Sequence, residues 1–223
     1  MKINEQTIQA IEALPGNWHA CGTISNSVLR VIVKHALSLG EIKHSLETGS
    51  GRSTLLFSHL SEDHLVFALD VGESVCKVRS SALLSSKRVR YVEGPTQKTL
   101  PQFQFSHKFQ VALIDGPHGY PFPDLEYFYI YPLIEEGGLL IIDDIRIPSI
   151  KRMFDIINAE HMFELVEIVD RNTAFFRRTS AQLIDPFSDS WWNNGYNQDH
   201  YRRILAKDTI FSRIKSAFGI NVS

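Results

Sequence analysis

In this chain of 223 residues, acids stand directly behind short apolar runs. Glu47 follows Ser45-Leu46 and opens onto Gly49-Ser50-Gly51. Asp70 closes the run 65–70, Glu93 follows Arg90-Tyr91-Val92, Asp115 follows Ala112-Leu113-Ile114, and Asp143-Asp144 follow Leu140-Ile141-Ile142. If those runs are strands pointing the same way, five acidic positions meet along one edge of a sheet. Carboxylates gathered like that repel one another and raise each other's pKa values. A cationic ligand, a metal ion or both would relieve the repulsion, so the pattern reads as a binding edge.

The most informative stretch is Glu47-Thr48-Gly49-Ser50-Gly51-Arg52-Ser53-Thr54. Glycines at 49 and 51 let backbone approach a ligand that a Cβ would exclude. A helix opening at Arg52 or Ser53 aims free N–H groups and a positive dipole end at that ligand. Glu47 would repel a pyrophosphate but attract an ammonium group. S-adenosylmethionine carries an ammonium and a carboxylate side by side, which suits an acid beside a helix N-terminus. Asp70, one strand further on, is placed to accept the hydroxyls of an adenosine ribose. A turn or helix-cap aspartate is the other reading of Asp70.

These residues need a scaffold, and the periodicity supplies one. Helical spacing covers 3–14 and 26–40, after which strands and helices alternate. Strands are expected at 44–47, 65–70, 88–92, 111–115 and 139–142. Helices are expected at 53–60, 74–84, 123–135 and 148–160. Two last strands, 164–169 and 174–177, are joined by Asp170-Arg171-Asn172-Thr173, a connection short enough only for antiparallel neighbours. The fold class is therefore α/β: a Rossmann-like, doubly wound, mostly parallel seven-stranded sheet ending in an antiparallel hairpin. The expected division is an N-terminal helical segment (1–40), a ligand-binding domain (41–180), and a tail with a final helix (181–223) in the same unit.

Two further blocks, Asp115-Gly116-Pro117-His118-Gly119-Tyr120 and Gly137-Gly138 through Asp143-Asp144, follow in order. Together with the glycine stretch, the chain over about 41–178 resembles the class I S-adenosylmethionine-dependent methyltransferases. The likeness is greatest to a subgroup with E-x-G-x-G-x-S-T, D-G-x-H-x-Y and G-G-x-x-x-x-D-D. Pro117, Pro121 and Pro123 depart from that pattern. The resemblance implies that Glu47, Gly49 and Gly51 line the methionine part of the cofactor, that Ser53 and Thr54 cap the helix facing it, and that Asp70 holds the ribose. Glu93 with Gly94-Pro95 would lie near the adenine, and Asp115 beside the transferring methyl. For an alcohol acceptor, either a general base or a metal-lowered pKa must release the proton. His118, just past a strand end, is the base candidate. Asp115, Asp143 and Asp144 are the alternative, a hard-oxygen set suited to Mg²⁺, and catechol-type O-methyltransferases place three oxygen ligands in the corresponding blocks.

The expected activity is methyl transfer to oxygen on a small-molecule or glycan acceptor. The alternatives are an NAD-dependent oxidoreductase and a non-catalytic nucleotide-binding module. Net charge is −2 and there is no basic stripe, which argues against nucleic acid. No run reaches the length of a membrane span and the first residues do not form a signal peptide, so the expectation is cytoplasmic. Cys21 and Cys76 make no disulfide framework, and the nine histidines contain no H-x-x-x-H pair. The tail around Trp191-Trp192-Asn193-Asn194 and Tyr196 either faces sugar rings or tucks against the domain or a second subunit of a homo-oligomer. The helix expected at 199–218 either packs through Ile204, Phe211, Ile214 and Phe218 or rests on a membrane surface.

Overall fold

The computed structural model describes residues 3–18, 22–71 and 73–217, without the side chains of 208, 209 and 211–217. Cys21 and Phe218 therefore lie outside the described residues, and the side chains of Phe211 and Ile214 are not described. The N-terminal pair is α1 (Glu5–Glu12) and α2 (Asn26–Ser38). Asn4 accepts the Thr7 N–H and Ser25 the Val28 N–H, so each helix begins on a side-chain oxygen that satisfies a first-turn donor. The alternating run follows: β1 (Ile42–Thr48), α3 (Arg52–Leu60), β2 (Ser61–Ala68), α4 (Ser74–Ser80), β3 (Val89–Glu93), α5 (Thr96–Gln102), β4 (Phe109–Ile114), α6 (Phe122–Ile130), β5 (Ile134–Ile142), α7 (Pro148–Asn158), β6 (Phe163–Val169) and β7 (Thr173–Arg178). A long helix, α8 (Gly195–Ala217), closes the chain.

The seven strands make one sheet in the order β3-β2-β1-β4-β5-β7-β6. Every pairing from β3 to β5 is parallel, and β7 runs antiparallel to both β5 and β6. The alternation of side chains along β4 feeds two cores: Val111 and Leu113 pack with α1, α2 and α3, while Ala112 and Ile114 pack with α6 and α7. The strand order reverses between β1 and β4, which leaves a crevice above their carboxyl ends.

Several boundaries differ from the sequence expectation. α4 stops at Ser80 rather than 84, α6 at Ile130 rather than 135, and α8 begins at Gly195. β2 follows α3 with no linker and ends at Ala68, two residues short of Asp70. β5 begins at Ile134 rather than 139 and runs through Gly137-Gly138; Gly137 takes φ +78° and the β4–β5 register slips there. α5 is an element the periodicity does not reveal, because it is one short turn pair interrupted by Pro101.

The tail packs down by Trp191, whose ring meets Tyr131 at 5.4 Å and 90° and Tyr127 at 6.4 Å and 75°. Trp192 is exposed and contacts Tyr201 of α8. Residues 201–207 of α8 are exposed. Among the described residues no helix is long and apolar enough to cross a membrane.

Candidate active site

A cavity of about 590 Å³ occupies the crevice at the carboxyl ends of the strands, a volume usual for small-ligand sites. One wall is backbone: Gly49, Ser50, Gly51, Arg52 and Ser53. Gly49 takes φ +90°, and a Cβ there would come within 2.3 Å of the Asp115 carbonyl oxygen. The β1–α3 turn and the loop after β4 are thus pressed together, which only glycine at 49 permits. Gly94, Pro95 and Thr96 also line the cavity, as do Asp115, His118, Asp143 and Asp144.

The acids share the edge but not the same surroundings. Glu47 lies in β1 with no exposure, behind the glycine turn and outside the cavity lining. Its Oε1 accepts from the Thr54 hydroxyl and lies 3.2 Å from His64 Nε2, while Oε2 is buried without a hydrogen-bond partner among the described residues. Thr54 also accepts the Gly51 N–H at 3.0 Å, so it reaches back from the third helical position to the turn. The N-cap of α3 is Gly51; Ser53 lines the cavity but donates no cap, which corrects the expected capping pair. Asp70 is exposed and accepts from the Val75 N–H at 2.9 Å and the Cys76 thiol at 3.2 Å, a brace for the start of α4. Glu93 pairs with Arg79 at the surface.

The remaining acids converge. His118 Nε2 lies 3.2 Å from Asp144 Oδ2 and 3.8 Å from Asp115 Oδ1. The ligand atoms of Asp115, His118 and Asp144 all fall within 4.8 Å of one another. Burial pushes the Asp115 carboxyl up to about 7; Asp143 and Asp144 add to this, and His118 opposes it. The nearby Asp115 carboxylate raises the His118 pKa, against the lowering effect of burial. Asp143 is turned away from this group: Oδ1 accepts from Thr173 Oγ1 and, at 3.3 Å, from Asn172 Nδ2. Asn172 also donates to Asp144 at 2.9 Å, and Asp144 holds φ +57°. The hairpin turn between β6 and β7 therefore fixes the Asp143-Asp144 corner. The oxygen set expected from sequence is replaced, as a cluster, by two carboxylates and an imidazole.

Three contributors were missed in the sequence. Arg52 is buried and donates to Asn26 Oδ1 at 2.8 Å and to the Ile24 carbonyl, so it draws the segment Gly22-Thr23-Ile24-Ser25 over the cavity. Glu126 of α6 is buried beneath the Asp115-Gly116 turn. It accepts from Thr48 Oγ1 at 2.8 Å, and Thr48 in turn accepts the Asp115 N–H at 3.0 Å. Burial pushes the Glu126 carboxyl up to about 7, with the hydroxyls of Thr96 and Thr48 opposing. A Cβ at Gly116 would meet Glu126 Oε1 at 2.1 Å, so the glycine makes room for the carboxyl. Thr173 and Asn172 are the third. Only Gly116 left a sequence trace of these contacts.

Residues 46–145 match the family model described as a methyltransferase domain. No curated protein sequence matches the chain. The fold is similar to that of a Klebsiella pneumoniae protein described as a candidate O-methyltransferase (TM-score 0.62, 15% identity, 80% of this chain and 92% of that one). It is also similar to an O-methyltransferase from Bacillus cereus in complex with SAH (0.58, 18%, 79% and 92%). A third is TomG, an O-methyltransferase from Streptomyces achromogenes involved in tomaymycin synthesis, in complex with SAM (0.60, 13%, 81% and 92%).

Proposed function

We propose, from the premise that this chain belongs to the class I S-adenosylmethionine-dependent methyltransferase superfamily, that it methylates a hydroxyl oxygen of a small-molecule acceptor. The observation that carries this reading is that the glycine turn and the Asp115–His118–Asp144 group line one and the same cavity. Such a site fits a ligand bearing both an amino acid end and a sulfonium. Backbone at Gly49, Gly51 and Ser53 can approach its amino acid part, and the lining acids favour positive charge. When bound, S-adenosylmethionine supplies an electrophilic methyl. The O-methyltransferase neighbours favour oxygen as acceptor, and nothing among the comparisons favours an oxidoreductase.

The chain's own residues then have distinct tasks. Glu47 and Thr54 shape the glycine turn from behind. Asp70 and the turn Glu93-Gly94-Pro95 are assigned to the ribose and adenine end. His118, with Nε2 set against Asp144, keeps Nδ1 as the nitrogen that takes the acceptor's proton; Asp115 and Asp144 stabilise the imidazolium that results. Its raised pKa makes it a stronger base, with activity rising as pH climbs through that pKa. A glycan acceptor is a narrower variant, supported by exposed Trp192.

A second reading rests on the same three side chains, whose ligand atoms are close enough to share a divalent cation, Mg²⁺ being the expected ion. A cation there would lower the acceptor's pKa. Titration calorimetry with S-adenosylmethionine, S-adenosylhomocysteine and NAD, with and without Mg²⁺, tests the proposal. The adenosyl ligands should saturate and NAD should not; NAD binding alone would overturn it. Asp70→Ala should weaken adenosyl binding roughly tenfold or more, since a lost hydrogen bond to a charged group is worth about 1.5–3 kcal/mol. Unchanged affinity in the folded variant would remove Asp70 from the site. Chelator sensitivity of turnover, reversed by Mg²⁺, separates the cation from the base.

A further inference from the structure

At the opposite edge of the sheet, where β1, β2 and β4 begin, a second cluster has formed from residues far apart in sequence: His44, Asp63 and His107. His44 and Asp63 are register partners in the β1–β2 pairing. His107 arrives from the segment between α5 and β4, where it takes its place in an alternating row with Phe103, Phe105 and Phe109. Its ring meets Phe109 at 5.2 Å, and Phe105 meets Phe109 at 6.0 Å. The Gln110 side chain accepts the Lys43 and His44 N–H groups at 2.7 and 3.2 Å, which holds the start of β1 against β4. The two imidazoles stack at 3.6 Å and 21°.

His44 Nδ1 lies 3.5 Å and His107 Nε2 3.8 Å from Asp63 Oδ2. Both nitrogens are shielded from solvent, and among the described residues neither has a hydrogen-bond partner. Two orphaned ring nitrogens facing one carboxylate are costly unless something joins them. The three donor atoms all lie within 4.8 Å of one another. We propose that His44 Nδ1, His107 Nε2 and Asp63 Oδ2 bind a divalent transition-metal ion of the Zn²⁺ class, which joins the amino ends of β1, β2 and β4.

The chemistry of each group suits that ion. His107 Nδ1 is 3.0 Å from the Ser106 hydroxyl, which can accept an Nδ1 proton and so leave Nε2 as the ligating nitrogen. Burial, together with His44, holds the His107 imidazole below its usual pKa. Arg90 of β3 grips Asp63 through Nε at 2.8 Å and Nη2 at 2.6 Å and holds that carboxyl below its usual range. Arg90 therefore orients an ionised carboxylate, as outer partners of metal ligands do. Its charge also disfavours hard cations held by oxygen alone. That selects ions whose affinity comes from imidazole nitrogen, Zn²⁺, Cu²⁺ or Ni²⁺, over Mg²⁺ or Ca²⁺. A tetrahedral Zn²⁺ with bonds of about 2.0–2.1 Å sets its donors roughly 3.3 Å apart, and because an imidazole binds a metal in its own plane, ligation requires the two rings to turn out of their 21° stack.

The test must separate this cluster from the one in the cavity. Zn²⁺ titration calorimetry is run on the full chain in a His118→Asn/Asp144→Asn background, with and without His44→Gln/His107→Gln. The background protein should bind Zn²⁺ near one equivalent and gain several degrees in Tm at a hundredfold excess over Kd. The added pair should weaken that binding at least tenfold. Equal Zn²⁺ affinity with and without the histidine pair overturns the proposal, as does no binding at millimolar Zn²⁺. Should the quadruple variant fail to fold, NMR of the imidazole signals in the unaltered chain decides. Selective Zn²⁺ shifts of His44 and His107 support the site, and their constancy overturns it. None of these readouts depends on methyl transfer, so failure of the functional proposal would leave this result intact.

Discussion

The two edges of the sheet carry clusters of similar make-up with opposite settings. At the carboxyl edge, Asp115, His118 and Asp144 stand on loops that part around a cavity of about 590 Å³. At the amino edge, His44 and Asp63 stand on strand starts and His107 on the segment leading into β4, held together by Gln110 and Arg90, with the ring nitrogens shielded from solvent. The carboxyl-edge group is open to a ligand and is electrically unbalanced: burial, with the Asp143 and Asp144 carboxylates adding to it, pushes the Asp115 pKa up to about 7. The amino-edge group is balanced by a guanidinium. The contrast shows that residue types do not settle a role. Loop divergence at a topological switch point makes room for chemistry, whereas converging strand starts favour a small closed site.

The sharpest way to break this contrast is at His118. His118→Asn should lower kcat by about 100-fold or more, the usual range for a lost general base, with cofactor affinity little changed by calorimetry. A kcat within threefold of wild type would reassign the proton transfer to a cation or to solvent.

A smaller effect is expected from Glu126, which supports the carboxyl-edge loop from below. Its carboxyl is raised from 4.5 to about 7 by burial. Below about pH 4.5 it is protonated whether the chain is folded or not. Between 4.5 and 7 the unfolded chain releases a proton that the folded chain keeps, so stability falls as pH rises, and the loss levels off above 7. Glu126→Gln removes that slope. The variant should gain on wild type by up to about 3 kcal/mol at pH 8 relative to pH 4, from the roughly 1.4 kcal/mol per pKa unit. Parallel Tm-against-pH curves for the two proteins would contradict the assignment.

The smallest effect belongs to the amino edge. In chelator-treated buffer, His107→Gln should change kcat by less than twofold, because the cluster lies at the far end of the strands from the cavity. A tenfold loss would mean that the two edges are coupled through β1 and β4.

Much of the fold was legible. The apolar runs that became β1 to β5 and the short turn 170–173 depend on local pattern, and local pattern is what periodicity reports. The expected strand at 139–142 misses the first part of β5, because Gly137-Gly138 interrupts the apolar run and marks an irregularity inside the strand. α5 escaped because seven residues with an internal proline show no helical period. In the site, Gly49, Asp115 and His118 were visible as a turn and a strand end. Arg52 was not: its value lies in reaching Ile24 and Asn26, which are near only after α1 and α2 have folded back.

The order of elements, the parallel-to-antiparallel change, and the arrival of acids at one edge follow from alternation and turn length along the chain. These are near-neighbour properties, written within a few residues. Which acids face the cavity is another matter. Glu47 and Asp115 look equivalent as strand-end carboxylates, yet one is sealed against His64 and Thr54 and the other opens to the site. The meeting of His44, Asp63 and His107 likewise has no local trace, since register and packing bring together positions 19 and 44 residues apart. Side-chain surroundings are set by contacts between elements distant in sequence, so burial, pKa and cluster membership emerge only when the sheet has closed.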